Sequence, residues 1–273
     1  MSHQSKKKKK QMLSILCSGD NIKQYGVSAV IPTIKTRKKL LERALLSIKK
    51  QTYKDIETVV VDEGLPATTQ RNIGIERSKS NFIAFLDDDD EWTENKIELQ
   101  MEVMKKHSDC PIVTCYADDR RRQDGRISRP PLVNTHKMLV KGFNMSSTSS
   151  YLCRKYALDL LKQQDGFYFD ETLPSGHEYD LALRMSKYHD IRCVPEILMI
   201  QHKSPGQISG AWGKKIRGQY AMMHKWGCEY SVVEWLKRIG LIGLFFMGFI
   251  IGDTIMYPIN FMKELHENNR VHR

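Results

Sequence analysis

Residues 82–92 read Phe-Ile-Ala-Phe-Leu-Asp-Asp-Asp-Asp-Glu-Trp, and this stretch decides the fold. Its five leading apolar residues are typical of a strand buried on both faces of a parallel sheet. Four carboxylates follow at the carboxyl end of that strand, where open α/β sheets bind their ligands. Because adjacent carboxylates repel each other, a cation among them is expected, and their hard oxygen ligands suit Mg²⁺ or Mn²⁺. On their own, the acids fit a solvated helix-capping turn equally well.

Strand and helix patterns alternate around this stretch. The predicted strands are 27–31, 56–61, 82–86, 112–115 and 194–200. The predicted helices cover the regions of 40–48, 71–75, 97–104 and 178–189. Asp90 and Glu91 are expected only to lead into the third helix, with Thr93 as its N-cap. The segment 117–175 looks less regular and suits substrate-facing loops. This order predicts an α/β fold with a mostly parallel, mixed, Rossmann-like sheet and helices on both faces.

The length of 273 residues suits one large domain with a short accessory segment. We predict a basic flexible N-terminal segment at 1–25, a single α/β domain at 26–225 and a hydrophobic, amphipathic, membrane-associating segment at 226–273. Within the last segment, residues 239–256 contain one charged residue, Asp253, and are near the lower length limit for a membrane span. A short span, an interfacial or re-entrant helix and a buried core helix are the alternatives for them.

The net charge of +11 is concentrated in blocks, one at Lys6–Lys10 and one of arginines at 120, 121, 122, 126 and 129. Proteins with such a charge bind nucleic acid, anionic membranes or phosphorylated ligands. Neither block has the interleaved aromatic residues of single-strand binders, so we expect no nucleic-acid partner, and we expect an anionic membrane surface instead. The six cysteines are scattered without a Cys-x-x-Cys pair, which predicts reduced thiols and no zinc site.

Two further motifs lie upstream of the acid run. The strand at 56–61 ends in Asp62-Glu63-Gly64, and the next helix carries Arg71-Asn72-Ile73-Gly74. Together with the apolar strand that ends in Asp-x-Asp, this order resembles the nucleotide-sugar glycosyltransferases of family 2, which have the GT-A fold. The resemblance extends over about residues 26–210 and is strongest over 27–105.

The resemblance implies a role for several of these residues. Asp62 would accept hydrogen bonds from the nucleotide base, and Arg71 would reach the diphosphate, because a guanidinium fork fits phosphate oxygens. Asp89 would coordinate Mn²⁺ or Mg²⁺, with Asp87 beside it as a further ligand or near the ribose. The metal would neutralise the charge that grows as the nucleotide diphosphate leaves.

The same resemblance points to a catalytic base near residue 178. Family members usually have a Glu-Asp pair here, whose second acid deprotonates the acceptor hydroxyl, whereas this chain has His177-Glu178. Glu178 therefore stands at the position of the base, one methylene longer than Asp, and Asp180 is the rival candidate. Farther on, His202 lies in a segment that closes over the diphosphate in relatives, and it is a candidate metal ligand or phosphate contact.

These features predict a metal-dependent, inverting glycosyltransferase. It would move a sugar from a nucleotide diphosphate sugar, with UDP as the expected nucleotide, to a hydroxyl of a glycan or lipid-linked acceptor. The C-terminal segment would hold it at the cytoplasmic face of a membrane, or leave it cytoplasmic if that segment is core. A nucleotidyltransferase is an alternative, but Pro32-Thr33-Ile34-Lys35 stands where its Gly-rich phosphate loop would be. The other alternative is a non-catalytic protein that binds nucleotide sugars or anionic surfaces.

Overall fold

The computed structural model describes residues 26–121, 125–204 and 212–249. The predicted basic segment at 1–25 lies outside the described residues. The described residues form two compact units. The first consists of 26–121, 125–171 and 177–204, and the second consists of 172–176 and 212–249. The predicted domain boundary after residue 225 stays a prediction.

A mixed sheet is the centre of the first unit. Its nine strands, within the described ranges, are β1 (Val27–Pro32), β2 (Ile56–Val61), β3 (Phe82–Phe85), β4 (Asp90–Trp92), β5 (Ile112–Asp119), β6 (Arg126–Ser128), β7 (Val133–Asn134), β8 (Leu152–Arg154) and β9 (Ile191–Gln201). The main order is β2-β1-β3-β8-β5-β9-β4, with β6 beside β5 and β7 beside β9. β1 runs parallel to β2 and β3, and β5 runs parallel to β9, whereas β8 and β4 run antiparallel to their neighbours.

Helices cover both faces of this sheet. Those of the first unit are α1 (Lys38–Lys49), α2 (Ala67–Arg77), α3 (Lys96–Lys106), α4 (His136–Val140), α5 (Lys155–Asp165) and α6 (His177–Ser186). Short 3₁₀ turns lie at Lys35–Arg37 and Thr148–Ser150. Core residues of α1 and α3 pack with Val27 and Ala29 on one face of β1, and α2 packs against Val30 on the other. The predicted α/β class with a mixed sheet and two helical layers is confirmed.

β3 is buried on both faces, as its apolar sequence predicts. Its four residues are at most 4% exposed. Phe82 and Ala84 join the core beneath α1 and α3, and the Phe85 ring packs edge-on against Phe169 on the opposite face, with 5.2 Å between centroids. The strand is held between β1 and β8, so the acids that follow it emerge from a rigid part of the sheet.

The structure corrects two details of the predicted helices. Asp90 and Glu91 do not lead directly into a helix, because residues 90–92 form β4 and pair with β9. α3 begins at Lys96 with Asn95 at its N-cap position, so the predicted capping role of Thr93 is wrong. The segment 117–175 is also more regular than expected, since it includes α5, whose buried residues Ala157, Leu158 and Leu161 have helical spacing.

β9 carries an irregularity beside β5. Cys115 pairs with Val194, but Ala117 pairs with Met199, so two steps along β5 correspond to five along β9. The additional residues of β9 include Pro195, which cannot donate a hydrogen bond to the ladder and is therefore typical of a bulge. After this shift the two strands stay in register as far as Asp119 and Gln201.

The second unit contains α7 (Trp212–Trp226), a 3₁₀ turn (Gly227–Glu229) and α8 (Val232–Phe249). Met222, Met223 and Trp226 are buried, and the Trp235 indole nitrogen donates to the Gly227 carbonyl at 3.0 Å. The predicted 239–256 segment is helical as far as 249, and its last residues lie outside the described part. Among the described residues, no helix combines the length and the apolar character that a membrane crossing requires.

Replacing Gly74 by Ala is expected to lower the free energy of unfolding by about 1 to 3 kcal/mol. An added Cβ would lie 2.3 Å from Cγ1 of Val30, which is fully buried in β1 and cannot move away. Denaturant unfolding followed by circular dichroism measures the effect. Gly213→Ala in α7 is the matched control, because nothing lies within 4 Å of an added Cβ there. It should be neutral or slightly stabilising, since alanine favours helix. Equal stability of the two variants would contradict the close packing of α2 on β1.

Candidate active site

Three of the four acids that follow β3 converge. Asp87, Asp89 and Asp90 each offer a carboxylate oxygen, and these atoms lie within 4.8 Å of one another. Asp88 faces elsewhere and accepts a hydrogen bond from Thr33 Oγ1 at 2.7 Å. The structure thus brings the predicted ligands Asp87 and Asp89 together and adds Asp90, which the sequence analysis missed. An all-oxygen ligand set of this kind fits Mg²⁺ or Mn²⁺.

Two arginines compensate part of the negative charge. Arg71 of α2 is buried and forms an ion pair with Asp87. Arg37, in the 3₁₀ turn after β1, contacts Asp88 at 2.9 Å and Asp89 at 2.8 Å. Two guanidinium groups cannot balance four ionised acids, so a divalent cation among the acids would be favoured. Arg37 was not predicted as a site residue, because it stands in a basic run that looks like solvent-exposed surface.

Asp90 is the most deeply buried acid of the cluster. Its backbone pairs with Gln201 of β9, and its carboxylate accepts a hydrogen bond from Ser149 Oγ at 2.6 Å. Burial and the nearby charge of Asp87 raise the pKa of Asp90 well above its usual range, although the Ser149 hydrogen bond opposes the shift. A bound divalent cation would favour the ionised form and lower this pKa again.

A buried polar network fixes the 3₁₀ turn at Thr148–Ser150, which contains Ser149. The Gln100 amide donates to the carbonyls of Val113 and Ser150, at 2.9 and 2.8 Å. The Lys96 ammonium donates to Gln100 Oε1 at 2.6 Å and lies 4.3 Å from the centre of the Trp92 ring. Burial lowers the pKa of Lys96 to about 8. Because all these groups have partners, the loop that contacts Asp90 is held in one position.

Each residue of the Arg-Asn-x-Gly motif has a separate contact. Arg71 reaches Asp87, and Gly74 allows the close approach of α2 to β1. The Asn72 side chain binds the backbone of Phe169 twice, donating to its carbonyl at 3.0 Å and accepting from its N–H at 2.9 Å. The motif therefore joins the acid run, the sheet and the segment after α5.

The two candidate bases differ sharply in environment, although both lie in the first turn of α6. Asp180 is fully buried and accepts a hydrogen bond from Arg184 Nε at 3.0 Å, which makes it a brace within the helix. Glu178 is partly exposed and lines a cleft of about 280 Å³. Burial lowers the pKa of Arg71, but the charges of Asp87, Glu178 and Asp90 outweigh it and raise that pKa overall. Glu178 and the acid run thus act on the same guanidinium group.

Asp62 and His202 are not among the three acids that converge. Asp62 is exposed directly after β2, next to Val61, whose carbonyl accepts from the Thr33 N–H at 2.9 Å. His202 Nε2 lies 3.1 Å from Glu91 Oε2. Near it, the Ser204 hydroxyl donates to Asp89 and accepts from Arg37 at 2.9 Å. The predicted roles of Asp62 and His202 stay predictions.

Comparison with known proteins gives consistent similarities. Residues 63–159 match the family model described as Glycosyl transferase family 2. An uncharacterized glycosyltransferase, RP339, of Rickettsia prowazekii (strain Madrid E) is 25% identical over 206 residues, covering 66% of this chain and 64% of that protein. The GalNAc(5)-diNAcBac-PP-undecaprenol beta-1,3-glucosyltransferase of Campylobacter jejuni is 23% identical over 177 residues, covering 54% of this chain and 57% of that protein. The chain therefore spans less than two thirds of the length of these relatives.

A solved structure shares the fold. The crystal structure of S. aureus TarS in complex with UDP-GlcNAc has a TM-score of 0.54 to this chain at 15% identity. The match covers 86% of this chain and 75% of that one. At this identity the likeness concerns the arrangement of strands and helices alone.

In the metal-free protein, Asp90→Asn is expected to raise the melting temperature at neutral pH. The folded state raises the pKa of Asp90 above its unfolded value of about 3.9, so folding favours the protonated acid. The contribution of Asp90 to stability is therefore present below about pH 4 and is lost as the pH rises through the folded-state pKa. The amide in the Asp90→Asn variant does not ionise, so it avoids this loss.

Scanning calorimetry over a pH series in EDTA measures the difference. With Mn²⁺ the wild-type protein should melt at a higher temperature than the variant, because the ion stabilises the wild-type protein and not the variant that lacks one ligand. A variant that melts below the wild-type protein at every pH in EDTA would show that the charged form of Asp90 is not disfavoured.

Proposed function

We propose that this chain is a family 2 glycosyltransferase with the GT-A fold, which transfers a sugar from a nucleotide diphosphate sugar to a hydroxyl group of a glycan or lipid-linked acceptor. The observation that carries the proposal is the cluster of Asp87, Asp89 and Asp90 at the carboxyl end of a buried strand. The similarity to a structure that contains UDP-GlcNAc supports a UDP-sugar donor. The similarity to a glucosyltransferase named for an undecaprenol-diphosphate acceptor supports a lipid-linked acceptor.

The donor site would combine a divalent cation with arginine side chains. Asp87, Asp89 and Asp90 would hold Mn²⁺ or Mg²⁺, which when bound supplies positive charge to the leaving diphosphate. The Nε atoms of Arg37 and Arg71 are buried and have no hydrogen-bond partner among the described residues. Buried donors of this kind usually have a partner, so these atoms are suited to phosphate oxygens of a bound nucleotide. Asp62, at the end of β2, would contact the base.

Glu178 is the proposed general base. It lines the cleft and is partly exposed, so an acceptor hydroxyl can reach it, whereas Asp180 is buried and paired with Arg184. Glu178 would take the proton of the acceptor hydroxyl as that oxygen forms a bond to the anomeric carbon. The bond from this carbon to the diphosphate oxygen breaks from the opposite face, and the nucleotide diphosphate leaves with its electron pair. The anomeric configuration is then inverted without a covalent enzyme intermediate.

We further propose that the second unit attaches the enzyme to the cytoplasmic face of an anionic membrane. Several apolar residues of α8 are exposed, among them Val232, Leu236 and Leu244. Lys237 and Arg238 lie on the same helix. Apolar side chains beside basic ones are typical of helices that lie in the membrane interface.

Calorimetric titration with UDP, GDP and dTDP, each with Mn²⁺ and with EDTA, tests the donor site. One nucleotide should bind in Mn²⁺ and lose binding in EDTA. Asp89→Asn should abolish this binding, because it removes a charged ligand from the cluster. Asp159→Asn makes the same charge change on α5 and should retain it, because Asp159 pairs with Lys155 and is not part of the cluster. If no nucleotide binds, or EDTA has no effect, the proposed donor site is wrong.

Glu178→Gln is expected to lower kcat by about 10²- to 10⁴-fold while the affinity for the nucleotide stays the same. The amide keeps the shape of the side chain but cannot accept the proton. Asp180→Asn should instead destabilise the fold, by about 1 to 3 kcal/mol, because Arg184 loses its fully buried ionic partner and keeps the partly exposed Asp165. Initial rates with radiolabelled UDP-sugars and thermal melts of both variants separate the two effects. If Asp180→Asn folds but is inactive while Glu178→Gln is fully active, Asp180 is the general base.

A further inference from the structure

The cleft beside Glu178 has an unusual lining. It is formed by β5, β6, the 144–147 loop, α6 and β9, and all nine of its lining residues are polar or charged. A lining without apolar side chains does not suit a lipid chain or an aromatic ligand. It suits a carbohydrate, whose hydroxyl groups need many hydrogen-bond partners.

Ser146 is held in a strained conformation at the edge of this cleft. Its φ of 65° is the only positive φ of a non-glycine residue in the described part of the chain. The conformation is imposed from both sides, because the Ser146 N–H donates to Asn144 Oδ1 at 2.9 Å and the buried Met145 carbonyl accepts from Thr114 at 3.2 Å. Strain of this kind persists only where the surroundings impose it, and it concentrates at ligand-binding sites.

Among the described residues, the Ser146 hydroxyl also has no hydrogen-bond partner. Its Oγ is buried and has no hydrogen bond to any described residue. Nearly all buried polar groups in folded proteins are hydrogen-bonded, so an exception next to a cleft is suited to a hydroxyl group of a ligand. A serine hydroxyl can change position by rotation about one bond, so a sugar hydroxyl in the cleft can recruit it.

Arg126 differs from the neighbouring arginines because it has no carboxylate partner among the described residues. Arg121 is bound at two points by Asp119, at 2.6 and 2.9 Å, and Arg120 is bound by Asp118 at 2.7 Å. Arg126 lies opposite Asp119 on β6, lines the cleft and forms no ion pair with another described residue. With Asp119 engaged by Arg121, the remaining charges of the cleft are Glu178 and Arg126.

We propose that this cleft binds an acceptor sugar that carries an anionic group, either a carboxylate or a phosphate. The anionic group contacts Arg126, a ring hydroxyl contacts Ser146, and the attacking hydroxyl faces Glu178. This assignment rests on the proposed function and adds the chemical class of its acceptor. The opposite charges of Glu178 and Arg126 orient the sugar, because Glu178 repels the anionic end.

Saturation-transfer NMR titrations with three probes test the assignment. The probes are methyl glucoside, methyl glucuronide and glucose 6-phosphate, each added with Mn²⁺ and the nucleotide that binds in the calorimetric experiment. The two anions should bind about tenfold more tightly than the neutral sugar, and the separate titrations distinguish a carboxylate from a phosphate. Arg126→Gln should remove the difference. Arg120→Gln makes the same charge change outside the cleft and should preserve it. Equal affinities for all three probes, or no binding of any, would overturn the proposal.

Two variants of Ser146 test its hydroxyl. Ser146→Ala and Ser146→Gly should both lower the affinity for all three probes by about 3- to 10-fold. The affinity for the nucleotide should stay the same. Ser146→Gly should melt at or above the wild-type temperature, because glycine adopts this φ without strain. Weaker binding by a protein of undiminished stability separates ligand contact from folding. If Ser146→Gly binds the probes as the wild-type protein does, the role of Ser146 is wrong. If the wild-type protein binds no nucleotide, the proposed function itself is contradicted.

Discussion

Four consecutive carboxylates after β3 repel one another, and the residues that balance this repulsion come from distant parts of the chain. Arg71 belongs to α2, Arg37 follows β1, and Ser149 precedes β8. Buried ion pairs add little net stability, yet they are strongly destabilising when one partner is lost. The elements that carry these partners must therefore be held by other contacts, such as the packing of Gly74 against Val30. The apolar sheet and its helices stabilise the site, and the ion pairs mainly set its geometry.

Local sequence signals were enough to predict the frame of this site. The apolar run before the acids predicted β3, and the spacing around Arg71 predicted α2. Arg37 could not be predicted, because its basic neighbours look like ordinary surface and its partners are far along the chain. Asp90 was missed because it joins the cluster only when β4 pairs with β9. The strain at Ser146 likewise depends on neighbours that only the folded chain brings together.

Gln201 connects the carboxylate cluster with the cleft. Its backbone pairs with Asp90, and its side chain accepts a hydrogen bond from Arg121 at 3.0 Å and lines the cleft. The charge of Arg121 also lowers the pKa of Asp90, against the larger effects of burial and Asp87. The charge of Asp90 and the position of Arg121 in the cleft are therefore coupled, through the pairing of β4 with β9 and through Arg121 itself. Ordered binding of donor and acceptor would have a physical basis in this contact.

The bulge in β9 makes the length of that strand as important as its composition. Side chains alternate between the two faces of a strand, so each residue gained or lost reverses every later position. With the present number of residues after Val194, the polar Gln201 stands beside Asp119 and Asp90. Deleting one residue between 195 and 198 would bring His202 to the position of Gln201 and remove the side chain that accepts from Arg121. Natural variation in this segment should accordingly consist of substitutions rather than of insertions or deletions.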